Sequence, residues 1–400
     1  MRDVVIIDYL RTPFSRSKPK QPEKDKYNFL RMDELTAQLI NKLIKRVKIN
    51  PDEIDSLLIG CSSQQGENWL YGGRQVVFLA GWPENIPSVA IERACASSMT
   101  ALRMGALEIM SGYSDIVVAA GFEHMTHVPN GINTTPRLRI PNEKLLSDPM
   151  YKKYDLETGF MMGLTAEKLF NEAANISKES MDKWSFRSHN LAVKAIKNGY
   201  FGEEILPVNI KIGDGKNEII DQDLNIRSDT SYEQIANLPP AFMEGGAITA
   251  GNSSPLSSGC SSVILMAEEE ALKRGINYIA KIKSLGWSAV NPSVMGKAPV
   301  SASAIALQRA GLSAKEIDFW EINEAFAIVT LWSIDQLGID PQTVNIHGGA
   351  IAIGHPLGAS GARIVGTLGR ILNENDARYG LASVCVGGGQ GEAVILERVK

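Results

Sequence analysis

Four side chains spread along the chain have the types needed for sulfur-based acyl transfer: Cys95, Asn323, His355 and Cys385. Cys95 stands in Glu92-Arg93-Ala94-Cys95-Ala96-Ser97-Ser98-Met99, between a β-branched run and an amphipathic stretch. A thiol at such a helix start meets unpaired amides and the positive end of the helix dipole, which favour the thiolate. His355 stands in Asn345-Ile346-His347-Gly348-Gly349-Ala350-Ile351-Ala352-Ile353-Gly354-His355-Pro356-Leu357-Gly358-Ala359-Ser360-Gly361-Ala362-Arg363, just before another helix start. An imidazole there can take a proton from a thiol. Cys385 ends a strand in Cys385-Val386-Gly387-Gly388-Gly389-Gln390-Gly391, where glycines leave backbone amides open to an oxyanion and a second thiol can move a proton. Asn323, in Glu321-Ile322-Asn323-Glu324-Ala325-Phe326, falls at the strand edge where ligands bind in open α/β sheets. Each has a plainer alternative taken alone: a buried apolar cysteine, a structural histidine, a glycine hairpin, an N-cap. The chemistry resides in their conjunction.

An internal repeat predicts that folding brings these residues together. Glu53-Ile54-Asp55 returns as Glu316-Ile317-Asp318, 263 positions later (316 − 53), and Ala96-Ser97 returns as Ala359-Ser360 at the same offset. In this register Gly358 answers Cys95, which puts His355 beside the matching site of the other half. Beyond it, Gly112-Tyr113 and Gly121 are matched with Arg378-Tyr379 and Gly387, a register that needs three inserted residues (387 − 121 = 266).

Short β-branched runs alternate with amphipathic stretches, which predicts an α/β fold with a mostly parallel sheet and helices on both faces. Strands are expected at 4–7, 57–59, 89–91, 116–119 and 262–266, then at 279–282, 319–322, 344–346, 383–386 and 393–396. Helices are expected at 32–47, 98–110, 301–310 and 360–372. The glycine run 387–391 joins two strands tightly, but the equivalent strands of the first half are separated by an excursion over 122–258. A segment that long should be a functional cover, because structureless loops beyond roughly 15 residues are uncommon. It holds helical stretches at 165–174 and 178–195 and a surface loop over 135–153.

With 400 residues, 44% of them apolar, the chain is long enough for two domains. A net charge of −4 gives no general attraction for nucleic acid or anionic membranes. No apolar run reaches membrane-spanning length, and 4–7 is too short for a signal-peptide core, so a soluble cytoplasmic protein is expected. Cys61, Cys95, Cys260 and Cys385 form no Cys-x-x-Cys pair, which suggests reduced thiols and no thiolate metal site. His124 and His127 have a spacing that could ligate a metal but show no third ligand in the sequence, and no metal is expected. Gly387–Gly391 leads into a strand rather than a helix, unlike a dinucleotide fingerprint.

With these motifs in place, the chain resembles the thiolase superfamily from Arg2 to Val399. The resemblance rests on Cys95-x-Ser97-Ser98-Met99-x-Ala101-Leu102, Gly121-Phe122-Glu123-His124-Met125, Met161-Met162-Gly163-Leu164-Thr165-Ala166-Glu167, Thr249-Ala250-Gly251-Asn252, Asn323-Glu324-Ala325-Phe326, Gly354-His355-Pro356 and Cys385-x-Gly387-Gly388-Gly389-x-Gly391. Ser98 and Met161 make it most similar to the degradative 3-ketoacyl-CoA thiolases of fatty-acid β-oxidation; many relatives carry Gly at the first position, and biosynthetic acetoacetyl-CoA thiolases tend to carry His at the second.

The resemblance implies a thiolase-like fold: two duplicated mixed-sheet α/β halves in a layered αβαβα arrangement plus a long loop domain. The N-terminal domain would span 1–270, with its core at 1–121 and 251–270 and the loop domain at 122–250, and the C-terminal domain 271–400. It implies Cys95 as nucleophile, His355 as its base, Cys385 as the second acid–base, Asn323 on an ordered water, and the Cys95 and Gly387 amides as oxyanion donors. Arg227 would lie by the adenine of CoA, Ser254 by the pantetheine arm, and Met162 and Met295 along the acyl chain; the plainer alternatives are a solvated surface charge and ordinary core methionines. CoA, 3-ketoacyl-CoA and acetyl-CoA would be substrates or products rather than cofactors. The implied assembly is a homodimer or homotetramer, with room for a β-oxidation partner enzyme. Two positions depart from the family pattern: His347 replaces a common Asn, and Ser254-Pro255-Leu256-Ser257-Ser258-Gly259 differs from the usual run where pantetheine is gripped. Alternatives are a biosynthetic thiolase, a decarboxylating ketoacyl synthase, which would not need Cys385, and a non-catalytic acyl-CoA-binding subunit.

Overall fold

The computed structural model describes residues 1–129, 140–211 and 216–398. Its strands are β1 (Val4–Arg11), β2 (Ser15–Arg16), β3 (Ser56–Gly60), β4 (Ser88–Ile91), β5 (Ile116–His124), β6 (Val208–Lys211), β7 (Asn217–Ile220), β8 (Ser257–Ala267), β9 (Ala280–Ala289), β10 (Phe319–Ile322), β11 (Tyr379–Val386) and β12 (Gln390–Glu397).

The repeat extends to individual hydrogen bonds. Glu53 caps its short 3₁₀ turn by accepting the Asn50 N–H at 2.8 Å, and Glu316 accepts the Ser313 N–H at 2.8 Å. Asp55 Oδ2 accepts the N–H groups of Asp115 and Ile116 at 2.7 and 2.9 Å, while Asp318 Oδ2 accepts those of Arg378 and Tyr379, both at 2.8 Å. β3 runs parallel to β5 with Ser56 opposite Val117, and β10 runs parallel to β11 with Phe319 opposite Gly380. All of these pairs keep the offset of 263 (378 − 115 and 380 − 117), so the expected three-residue insertion is not there. The counterparts of Arg378-Tyr379 are Asp115-Ile116, and Phe122 answers Cys385. The Gly121–Gly387 match was a chance identity, whereas the aspartates tie the true register.

Among the described residues the main sheet has ten strands, in the order β10-β11-β12-β9-β1-β8-β5-β3-β4 with β2 on β8. Its pairings are mixed rather than mostly parallel: β3 with β4 and β5, and β10 with β11, are parallel, while β1, β8, β9 and β12 pair antiparallel with their neighbours. Parallel pairing is confined to strands joined by crossover helices; direct returns, such as the turn from Val386 to Gln390, are necessarily antiparallel. The strand expected at 344–346 is reduced to one bridge between Trp320 and Val344. Asn345 has φ 49 and ends the ladder, and its side chain takes over the pairing, accepting the Ile322 N–H and donating to the Ile322 carbonyl, both at 2.9 Å.

Apolar periodicity places the helices. Met32–Arg46 buries Leu35, Leu39 and Leu43 against the outer face of the first-half strands. Ser97–Met110 and Leu357–Glu374 share one core with the inner faces of both halves. Ala298–Ala310 and Ala327–Leu337 cover the outer face of the second half. The outcome is the layered αβαβα order. At its centre Gly121 and Gly358 let backbones touch, since a Cβ on either would overlap the main chain of the other segment.

β5 and β8 are antiparallel neighbours, yet the chain leaves at His124 and returns at Ser257. The excursion between them holds the helices Met162–Glu172 and Lys178–Lys197 and the β6–β7 hairpin. Of the surface loop expected over 135–153, residues 135–139 lie outside the described residues, and the rest includes the short helices Lys144–Ser147 and Pro149–Tyr154. Arg11 anchors the excursion, bonding Glu204 at 2.7 Å and Asp223 at 2.6 Å with all three side chains at 0% exposure. Breaking such a buried pair by removing one partner typically costs about 3–5 kcal/mol.

Candidate active site

Cys95 lies in the 3₁₀ turn Ala94–Ala96 between β4 and the helix Ser97–Met110, and it is partly exposed. The turn is strained: Ala94 has φ 42, a region that a side chain with a Cβ disfavours. Two neighbours hold it there. The Glu92 carboxylate accepts the Ala94 N–H at 3.0 Å, and Ser97 Oγ accepts the Arg93 N–H at 3.0 Å while donating to the Ala94 carbonyl at 2.7 Å. The turn packs against both the helix Leu357–Glu374 and β11, which bring His355 and Cys385.

His355 follows Gly354, whose φ of 115 suits glycine alone, and its N–H donates to Ser257 Oγ at 3.1 Å. Its Nδ1 is 2.6 Å from Ser360 Oγ, and the single Ser360 proton is directed to the Pro356 carbonyl at 2.9 Å. With that proton on the Pro356 carbonyl, which can only accept, Ser360 accepts from Nδ1 and Nε2 keeps its lone pair. Nε2 faces the Nδ2 of Asn323 at 3.3 Å. Burial, with the charge of Arg363 second, pushes the His355 imidazole down to about 3. The ring is therefore neutral at physiological pH, as a proton acceptor must be. Asn323 Oδ1 is buried with no partner in the protein, which leaves it open to a bound group.

Cys385 is fully buried on β11; burial, and then the neighbouring Cys95, push its thiol well above the usual range. It therefore stays protonated, and a thiol in that state can give a proton to a strong base. Gly387 comes beside the Cys95 turn: a Cβ on it would lie 3.5 Å from Met162 Sδ and 3.7 Å from Ala94 Cβ. A crevice of about 540 Å³ reaches Ala94 and Gly387 from the surface, with Arg93, Arg103 and Trp287 along its walls.

The chain matches the N-terminal thiolase domain over residues 4–269 and the C-terminal thiolase domain over residues 276–398. The chain belongs to the thiolase family. It is 40% identical over 405 residues to a 3-ketoacyl-CoA thiolase of Vibrio vulnificus, covering 100% of both chains. It is 39% identical over 406 residues to that of Saccharophagus degradans, covering 100% of this chain and 99% of the relative. Human mitochondrial 3-ketoacyl-CoA thiolase in complex with CoA superposes with a TM-score of 0.87 at 31% identity, covering 100% of this chain and 98% of that one. An acetyl-CoA acetyltransferase of Bacillus anthracis gives a TM-score of 0.87 at 33% identity, covering 100% and 99%.

The thiolase fold thus gathers Cys95, Asn323, His355, Cys385, Gly387 and Met162. Met295, at 3% exposure, shares an apolar core with Cys385 and Phe326. Ser254 donates its N–H to the Ala325 carbonyl at 3.0 Å, close to Asn323 in the chain. Arg227 is exposed on the surface, its N–H directed at His189 Nδ1 at 3.3 Å.

The residues that position this machinery were missed from sequence. Ser360 orients the His355 imidazole, Ser257 holds the His355 backbone, and the buried Glu123 carboxylate gathers the N–H groups of Ser62, Ser63 and Gly358 at 2.9, 3.1 and 3.0 Å. One signal was present: Ser360 is the repeat partner of Ser97, and both brace the turn that opens a reactive helix.

His127 Nδ1 does meet a third group, Glu67 Oε1 at 2.7 Å, so Glu67, His124 and His127 cluster. The two rings stack at 3.8 Å and 10°, which sends their in-plane lone pairs side by side rather than toward one point. Every ring nitrogen also has a protein partner: Tyr27 and Ser258 for His124, Glu67 and Asn28 for His127.

Proposed function

We propose that this chain is a degradative 3-ketoacyl-CoA thiolase that cleaves its substrate with CoA into acetyl-CoA and a shortened acyl-CoA, reversibly as a Claisen condensation. The observation that carries the mechanism is the neutral His355, with its Nε2 lone pair facing Asn323 Nδ2 at 3.3 Å, beside the Cys95 turn and the buried Cys385 thiol. His355 takes the Cys95 proton, and the thiolate attacks the 3-keto carbon. The bond between the second and third carbons breaks, leaving the acyl group on Cys95 and expelling the acetyl-CoA enolate. Asn323, through an ordered water, and protonated His355 hold the enolate oxygen while Cys385 supplies its proton. Incoming CoA gives its thiol proton to the Cys385 thiolate and attacks the acyl-cysteine, whose oxyanion is held by the N–H groups of Cys95 and Gly387; one such donor is typically worth roughly 100- to 1,000-fold in rate. Collapse releases the shortened acyl-CoA and the Cys95 thiolate, which takes its proton back from His355. A thioester keeps the acyl group close in energy to its CoA form, whereas a serine ester would trap it.

In this reading Met162 and Met295 line the acyl chain, and Ser254 and Arg227 contact CoA. No resident cofactor or metal takes part. The domain division is 1–270, with the loop domain at 122–250, and 271–400. β4 ends the sheet as an edge with Val89 41% exposed, and pairing two such edges across a twofold axis supports a homodimer, or a tetramer built from it. Among the described residues no helix is long and apolar enough to cross a membrane, in keeping with a cytoplasmic enzyme.

Thiolysis assayed across short- to long-chain 3-ketoacyl-CoA substrates tests this function. Activity extending beyond acetoacetyl-CoA is the expected result, and activity confined to acetoacetyl-CoA would instead establish the biosynthetic reaction. Failure of acetyl-CoA to acylate Cys95 would leave only a binding subunit.

A further inference from the structure

Two cross-links tie the helix Leu357–Glu374 to the end of β10. Ser360 and Arg363, three residues apart, share one helix face, and Glu321 and Asn323, two apart, share one strand face. The first cross-link is the site itself: Ser360 holds His355, and His355 meets Asn323 at 3.3 Å. In the second, Arg363 Nη1 donates to Glu321 Oε2 at 2.9 Å, with both side chains 1% exposed. No residue assigned to the mechanism accounts for it. Burying two charges carries a large desolvation cost and is weak evidence for a purely stabilising role. Moreover, Arg363 Nε and Nη2 and Glu321 Oε1 make no hydrogen bond within the protein, so the pair is far from saturated.

We propose that Arg363 and Glu321 are a positioning pair for the base: together they set the distance between His355 and Asn323, and their net charge sets how readily Cys95 gives up its proton. The first part follows from the shared faces, because any shift of the helix along β10 that separated Arg363 from Glu321 would also separate His355 from Asn323. The second follows from the surroundings. Tyr9 from β1, Tyr200 and Glu204 from the excursion, Arg187 from the helix Lys178–Lys197, Glu324 beyond β10 and His355 itself face the pair. Glu204 is already paired with Arg11, and Glu324 is taken up by Trp184, Ser188, Asn345 and the Ile351 N–H. The Arg363 charge is therefore balanced chiefly by Glu321. Burial, opposed by Arg363, raises the Glu321 carboxyl to about 8, which weakens that balance and leaves a positive field at the site.

The experiment is the pH dependence of Cys95 alkylation by iodoacetamide in the full-length protein, alongside steady-state thiolysis. Arg363→Met removes the positive charge and should move the alkylation midpoint up by about one pH unit, while Glu321→Gln, nearly isosteric with the largely protonated carboxyl, should leave it near wild type. Arg363→Lys keeps the charge and should leave the midpoint near wild type while lowering kcat, with KM unchanged because the pair touches no substrate. Were Arg363→Met not to fold, Arg363→Gln would decide: a folded Arg363→Gln protein, by circular dichroism, whose midpoint equals that of wild type overturns the proposal. The inference rests on His355 and Cys95 acting as proposed. A wild-type Cys95 that acetyl-CoA fails to acylate would remove that reading, whereas an acylatable Cys95 with a midpoint unmoved by loss of the Arg363 charge removes only the role of the pair.

Discussion

Ser360 Oγ lies 2.6 Å from Nδ1 of His355 and directs its own proton to the Pro356 carbonyl, so one hydroxyl sets the tautomer of the base. Ser360→Ala frees both ring nitrogens to exchange the hydrogen. We expect kcat for thiolysis to fall roughly tenfold at unchanged KM, less than the roughly 100- to 10,000-fold that a general base contributes. Loss of KM alone would mean that Ser360 serves binding instead.

Cys385→Ser separates the two half-reactions. The hydroxyl fills nearly the same space but is a far weaker acid, so carbon–carbon cleavage should be almost abolished. Acylation of Cys95 by acetyl-CoA, read by mass spectrometry of the intact protein, should persist. Unchanged thiolysis would remove Cys385 from the mechanism.

Acid should destabilise the fold through its buried imidazoles. His355 is pushed down to about 3 and His189 to about 4, chiefly by burial, so both stay neutral in the fold while the unfolded chain binds protons. Their contribution is complete above the ordinary value of 6.5 and is lost as pH falls from there toward 3 to 4. Thermal midpoints measured as the pH is lowered from neutrality should drop less steeply for His355→Gln than for wild type. Parallel curves would place the acid-sensitive groups elsewhere.

Glu324, at 0% exposure, accepts from Trp184 Nε1 at 2.9 Å, Ser188 Oγ at 2.8 Å, Asn345 Nδ2 at 2.9 Å and the Ile351 N–H at 3.1 Å. It thereby ties the excursion to the loop after β10. Glu324→Ala strands these donors, each at about 1–3 kcal/mol, and should lower the urea midpoint markedly. A midpoint equal to wild type would show that the excursion is held mainly by the Arg11 ion pairs.

Much of the fold and the reactive inventory could be read from local signals. Apolar periodicity marked the helices of both halves, the aspartates and capping glutamates announced the repeat, and Cys95 and His355 were visible at helix starts. The unequal returns, tight at Gly387–Gly391 and long over 122–258, were visible as well. Strand direction was not: propensity acts over a few residues, while β1, β8, β9 and β12 are antiparallel because of partners far away in the chain. The register beyond Gly112 also needed the Asp55 and Asp318 hydrogen bonds, which outweigh a coincidental glycine match. Asn345 turned an apparent strand into a side-chain bridge for the same reason. The His355 tautomer and the Arg363–Glu321 pair belong wholly to the tertiary structure. A buried polar group is defined by the partner that satisfies it, and that partner comes from a helix and a strand whose meeting no single segment encodes.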